Sequence, residues 1–242
     1  MRVLLLGGTT EANRMAQALH AAKIDAVYSY AGRTRHPVRQ PIPTRTGGFG
    51  GINGLRAYLA SERITHVIDA THPFAAGMSR NAIAACEGPL CALERPAWQI
   101  EETWIRVPDI ETAASALPDR AARVFLAIGK QHIGLFADRP HHYLLRLVDP
   151  PAEPLPLPRA NVIIAKGPFD YATDLALLRD HGIEVIVSKN SGSEGARAKL
   201  DAARTLNLPV IMIDRPAIPA RTVFATQTEV MRWLTHSADR GV

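Results

Sequence analysis

Residues 4–12, LLLGGTTEA, constrain this chain more than any other stretch, because a short apolar run passes straight into paired glycines and then into a helix. Residues 3–6 are continuously apolar and branched, which suits a strand buried on both faces of a parallel sheet. Gly7 and Gly8 open backbone angles closed to other residues and let a second molecule approach the main chain. Thr9 or Thr10 caps the helix, whose apolar positions Ala12, Met15, Ala16 and Leu19 recur at helical spacing. Such a helix aims unpaired N–H groups and a partial positive charge at the turn, which is how a phosphate is held. The turn therefore reads as a nucleotide-phosphate site. GGTTEA is not the full G-x-G-x-x-G pattern, so a glycine turn without a ligand is the alternative.

A length of 242 residues suits one large domain or two of ~100–150 residues. No apolar run approaches the ~18 residues of a membrane span, and residues 3–6 are too short for a signal-peptide core of ~7–15 residues. The expectation is a cytoplasmic protein with no membrane contact. Cys86 and Cys91 have no surrounding pattern that would complete a zinc site, so no metal is expected. The net charge of +5 favours an acidic partner. Nucleic acid is disfavoured, because no basic tract is interleaved with aromatics, and a small polyanion fits better. Of 28 basic residues only five are lysines, and Lys130, Lys166, Lys189 and Lys199 all lie in the second half. Lys offers a compact, titratable charge where Arg offers a fixed fork, which makes these lysines site candidates.

In the first half, strands are expected at 26–30, 66–68 and 90–93. The second strand ends in a segment containing Arg33 and Arg35 and no acid. An acid there would hold a ribose 2′-hydroxyl, whereas arginine accommodates a 2′-phosphate, so the pattern favours NADP over NAD. Residues 45–51, RTGGFGG, are too rich in glycine for an element interior and read as a loop, with a helix from 55 to 61. The strand before Asp69 ends in DATHPFA, where Thr71 or His72 could cap a helix from Pro73 onward. A domain boundary is expected within 94–120, with a possible strand crossover. In the second half, apolar runs at 124–128, 162–165 and 185–187 end in Lys130, Lys166 and Lys189. Helices follow at 170–181 and 194–206. Lysines gathered beside the NSGSEG turn form a receptor for carboxylates or phosphates.

Taken in order, LLLGGTTEA, RTGGFGG, DATHPFA, RPAW (95–98), KGPF (166–169), SKNSG (188–192) and the KLDAA…LPVIMIDRP ending run through the whole chain. Together they resemble the precorrin-6A reductase family of cobalamin biosynthesis. The resemblance implies two Rossmann-like α/β domains, each a mainly parallel sheet flanked by helices, with a cleft between them. It implies an NADP-binding domain at 1–100 and a tetrapyrrole-carboxylate-binding domain at 101–242. The implied reaction moves hydride from NADPH to one double bond of the macrocycle, giving the dihydro product precorrin-6B, without metal or flavin.

On this reading Gly7, Gly8, Thr9 and Thr10 hold the pyrophosphate, and Arg33 and Arg35 the 2′-phosphate. Gly47, Gly48, Asp69 and Thr71 line the nicotinamide side. Lys130, Lys166, Lys189, Asn190, Ser191 and Gly192 hold substrate carboxylates. Lys199, Asp201 and His72 are the candidate proton donors, with solvent as their rival. A monomer with transient contacts to neighbouring pathway enzymes is expected. A cofactor-independent tetrapyrrole synthase or isomerase would explain the lysines but leave the glycines and Arg33 idle. A non-enzymatic NADP-sensing module would explain the first half alone.

Overall fold

The computed structural model describes residues 1–32 and 37–239. In chain order the strands and α-helices are β1 (Arg2–Leu6), α1 (Thr10–Ala21), β2 (Asp25–Tyr30), β3 (Thr44–Thr46), α2 (Gly51–Ser61), β4 (His66–Asp69), α3 (Ala76–Ala85), β5 (Leu90–Leu93), β6 (Ile105–Val107), α4 (Ile110–Ser115), β7 (Arg123–Ala127), β8 (His142–Leu147), β9 (Ala160–Ile164), α5 (Tyr171–Asp180), β10 (Val185–Lys189), α6 (Ala198–Thr205), β11 (Val210–Ile213), β12 (Thr222–Phe224) and α7 (Gln227–Asp239). They form two compact units, one of residues 1–96 and 217–242, the other of residues 97–216.

The first unit is built on a six-stranded sheet of order β3-β2-β1-β4-β5-β12, parallel throughout. The central strand shows why its sequence is apolar without interruption. Val3 and Leu5 enter a core with Met15, Leu19, Val230 and Leu234. Leu4 and Leu6 enter a second core with Leu55, Leu59 and Ala82. Alternate side chains point to opposite faces of a strand, so helices on both faces require apolar residues at every position.

The second unit repeats the plan, with strand order β9-β8-β7-β10-β11-β6, again all parallel. Phe125, Leu144, Ile186, Leu200 and Met212 centre its core. Each sheet takes five strands from one continuous stretch. Its sixth comes from the segment that follows the other sheet's fifth strand. Thus β6, after β5, joins the second sheet, and β12, after β11, joins the first. Residues 217–242, expected with the second domain, therefore lie in the first unit, because β12 pairs with β5 and α7 covers α1.

Several local expectations are corrected. Residues 44–46, expected within loop, form edge strand β3 beside β2. Helix α2 begins within the glycine cluster rather than at Leu55. Gly50 and Gly51 take left-handed φ of 79° and 83°, which turns the chain into the helix without a side-chain cap. The helix after DATHPFA begins at Ala76 and is capped by neither Thr71 nor His72, because Ala75 N bonds His72 O and closes residues 72–75 into a turn first. Residues 194–196 are a 3-10 turn before α6 rather than its start. Among the described residues no helix is long and apolar enough to cross a membrane.

Candidate functional site

At the carboxyl edge of the first sheet, β1 delivers Gly7 and Gly8 directly onto α1. A Cβ on Gly7 would stand 2.1 Å from Cζ of Tyr28, so only glycine lets this tyrosine of β2 lie against the turn. Gly8 holds φ at +114°, and a Cβ there would meet nothing within 4 Å. The turn is thus filled on the Tyr28 side and open at Gly8. Gly8 N donates to Tyr28 Oη at 2.8 Å. Thr9, not Thr10, caps α1: its Oγ1 accepts from Ala12 N at 3.1 Å and donates to Ala70 O at 2.8 Å. Thr10 is the exposed first residue of the helix.

The Thr9 bond joins the start of α1 to the turn after β4. Asp69 Oδ1 accepts from Thr71 N at 3.2 Å and Thr71 Oγ1 at 2.7 Å, an Asx-type turn that fixes residues 69–71. Strands β1 and β4 flank the place where the strand order reverses, and open α/β sheets bind ligands outside the strand ends at such a place. His72 follows, exposed, with Nδ1 accepting from Phe74 N at 3.2 Å. In the neutral ring the proton then sits on Nε2.

Gly47 and Gly48 come after β3. Their carbonyls accept from Arg45 Nη1 and Nη2 at 2.9 and 3.1 Å, and Nη1 also donates to Ser29 Oγ at 2.7 Å. The guanidinium lies 3.9 Å from the Phe49 ring centroid. Arg45 therefore holds the glycine loop against the end of β2. Arg33 and Arg35 lie outside the described residues. Glu11, in the first turn of α1, would repel a phosphate, but it is paired with the half-buried Arg95 at 2.5 Å. Tyr28, Arg45 and Arg95 were not singled out by sequence. Arg45 and Arg95 stand inside the RTGGFGG and RPAW motifs, which was the available signal.

In the second unit the parallel sheet brings Lys166 after β9, Lys130 after β7 and Lys189 at the end of β10 to one edge. Lys130 and Lys166 are exposed. Lys189 Nζ donates to Ile128 O at 2.9 Å, spanning β7 and β10, where this sheet's order reverses. The turn beyond Lys189 is braced from within. Buried Asn190 accepts from Trp98 N through Oδ1 at 2.7 Å and donates to Trp98 O through Nδ2 at 3.0 Å. Arg215 donates to Asn190 O at 3.0 Å and Ser191 O at 3.2 Å. Ser191 is 6 % exposed, and Gly192 takes φ of 71°. The Asn190 amide and the two carbonyls thus serve the turn's own shape.

Lys199 and Asp201, paired by sequence as acids on one helix, occupy different environments. Lys199 is 4 % exposed, donates to Ala196 O at 2.6 Å and lies 4.8 Å from the Trp98 ring centroid. Burial, reinforced by the Arg146 charge and opposed by Asp174, pushes its ammonium down to about 7. Asp201 lies between Arg197 at 3.3 Å and Arg204 at 3.6 Å. Beneath the Lys166 turn, the guanidinium of Arg146 lies 3.5 Å from the Phe169 ring centroid and is ion-paired with the fully buried Asp174. No group of side chains suited to a metal ion occurs among the described residues.

Known proteins match this arrangement along almost its whole length. The family model described as precorrin-6x reductase CbiJ/CobK matches residues 2–235. A precorrin-6A reductase of Rhodobacter capsulatus is 58% identical over 246 residues, covering 99% of this chain and 97% of that protein. One from Rhodococcus erythropolis is 45% identical over 91% of this chain and 92% of its own length. A solved structure titled CobK precorrin-6A reductase superposes with a TM-score of 0.93 at 57% identity, covering 98% of this chain and 97% of that one.

Proposed function

The chain belongs to the precorrin-6x reductase CbiJ/CobK family, and on that footing we propose how it works: NADPH is held at the carboxyl edge of the first sheet and the tetrapyrrole at that of the second. Reduction of precorrin-6A in cobalamin biosynthesis is the activity that membership carries, and it makes the protein an oxidoreductase using a nicotinamide cofactor. The observation that supports the cofactor's place is the Gly7–Gly8 turn, open at Gly8 and set at the N-terminus of α1 beside the reversal of strand order. When bound, NADPH supplies the hydride.

Gly7 and Gly8, whose own N–H groups are bonded to Ser29 O and Tyr28 Oη, give the pyrophosphate its close approach, and Thr9 and Thr10 seat it through main-chain N–H groups at the start of α1, which have no intrahelical partner. Arg33 and Arg35 take the 2′-phosphate. Gly47, Gly48, Asp69 and Thr71 shape the nicotinamide side, with Arg45 and the Thr9 hydroxyl holding their loops in place. Lys130, Lys166 and Lys189 hold substrate carboxylates. Asn190, Ser191 and Gly192 form the turn that presents Lys189. Saturating a carbon–carbon bond takes a proton as well as hydride. His72 is the donor we assign, acting as the imidazolium and returning to the neutral ring whose Nδ1 accepts from Phe74 N, in preference to the buried Lys199 and the arginine-bound Asp201.

Anaerobic mixing with precorrin-6A and either NADPH or NADH, followed by absorbance, tests this scheme. Loss of the nicotinamide band with a matching pigment change is expected. Arg33→Ala with Arg35→Ala raises KM for NADPH far more than for NADH, and equal losses for both cofactors would refute the 2′-phosphate assignment. His72→Gln lowers kcat and spares the NADPH KM. An unchanged kcat gives the proton to solvent.

A further inference from the structure

A chain of polar side chains behind the glycine turn has no part in the scheme above. Building on the NADPH reading, we propose that Tyr28, Asn13, Gln40 and Tyr30 form a positioning network that locks the chain leaving β2 to the phosphate turn, and thereby sets the enzyme's preference for a 2′-phosphorylated cofactor.

The hydrogen bonds run without a break. Gly8 N–H donates to Tyr28 Oη at 2.8 Å, and the Tyr28 hydroxyl donates to Asn13 Oδ1 at 2.9 Å. Gln40 Nε2 donates to the same Asn13 oxygen at 2.8 Å and to Tyr30 Oη at 2.5 Å. The Tyr30 hydroxyl donates to Val38 O at 2.6 Å. Each hydroxyl gives one proton and receives another, and the two protons of the Gln40 amide both find acceptors. Tyr28 is fully buried and Tyr30 is 8 % exposed, with ring centroids 4.4 Å apart. Burial raises the Tyr28 hydroxyl above the usual phenol range, so it stays a neutral donor.

The network's ends give it meaning. Tyr30 is the last residue of β2, while Val38 and Gln40 lie on the returning chain eight and ten residues later. The Tyr30 and Gln40 side chains therefore pin both sides of the connection that leaves β2, and Asn13 fastens that pin to the first turns of α1. In dinucleotide-binding folds this connection meets the adenosine ribose and its 2′ substituent, and the glycine turn meets the pyrophosphate. Phenylalanine at positions 28 and 30 would fill the same core without burying hydroxyls, and apolar replacement of a whole hydrogen-bonded set is close to neutral for stability. Packing alone does not call for these polar groups. Holding two parts of one ligand site in register does.

Calorimetric titration of the whole protein with 2′,5′-ADP and with 5′-AMP, which differ only in the 2′-phosphate, tests the proposal without turnover. In Gln40→Leu and Tyr30→Phe, affinity for 2′,5′-ADP falls about three- to tenfold, the range that one lost hydrogen bond gives, and affinity for 5′-AMP changes less than twofold. Tyr28→Phe, which releases Gly8, weakens both ligands by the same factor. Gln40→Met replaces Gln40→Leu if the latter does not fold. Equal losses for both ligands in the Gln40 and Tyr30 variants, or none, overturn the network's role. Wild-type protein with no preference for 2′,5′-ADP overturns the NADPH reading and the network's role with it. If wild type shows the preference and these variants keep it, the network proposal alone fails.

Discussion

His66 and His141 are both almost fully buried, at 2 % and 1 % exposure. His66 Nδ1 lies 2.9 Å from Thr65 Oγ1, with its ring edge-on to Trp233. His141 Nδ1 accepts from Ala122 N at 3.2 Å. Burial lowers the proton affinity of both rings, helped at His141 by Arg139 and Arg120. The folded state therefore binds fewer protons than the unfolded chain, whose histidines titrate near ~6.5. The stability this contributes is complete above that pH and is lost as pH falls through it towards the lower folded values. Urea midpoints should drop between about pH 7 and 5, and His66→Phe, keeping the contact with Trp233, should flatten the slope. An unchanged slope would show that His66 does not drive it. At this scale Gly7, Gly8 and Thr9 were legible, because a glycine turn and a cap are local patterns. Tyr28 was not, because its partners Gly8 and Asn13 lie outside its own strand.

Strand β8 shows how an element escapes a local reading. Its sequence, HYLLRL, carries no clear alternation and places a charge between leucines. Arg146 is tolerated there because α5 brings Asp174 to it and Phe169 stacks on its guanidinium, and α5 caps itself through Asp170 Oδ1 and Thr173 N at 2.9 Å. Asp174→Asn leaves Arg146 buried with its charge unbalanced and Lys199 nearby. Breaking a buried pair from one side costs about 3–5 kcal/mol, and chemical denaturation should show a loss of that size. Asp174→Leu combined with Arg146→Met should recover part of it, since no lone charge remains. A loss within experimental error for Asp174→Asn would mean that the pair does not hold β8 to α5.

On the scale of the whole molecule, the first unit depends on the chain's last segment. Val230 and Leu234 of α7 have no exposed surface, and β12 pairs with β5 through Thr222, Val223 and Phe224. A chain ending at residue 216 would bare a sheet edge and one side of α1 while leaving residues 97–216 whole. Hydrogen exchange on that truncation should show lost protection in β1 and β4 and kept protection in β7 and β10, and titration should show lost binding of the nicotinamide cofactor. Protection kept in β1 would show that the first unit stands without its sixth strand.

The sequence by itself determined the two parallel α/β sheets, the glycine turn that opens α1 and the lysines at strand ends. Strands covered on both faces need unbroken apolar runs, and the polar residues that punctuate those runs fall on the ligand edge of the sheet. Only the tertiary structure decided which sheet receives β6 and β12, and which polar groups satisfy one another behind the site. Those outcomes rest on pairings between distant segments, such as Arg146 with Asp174 or Asn13 with Gln40, and no local spacing in the chain encodes them.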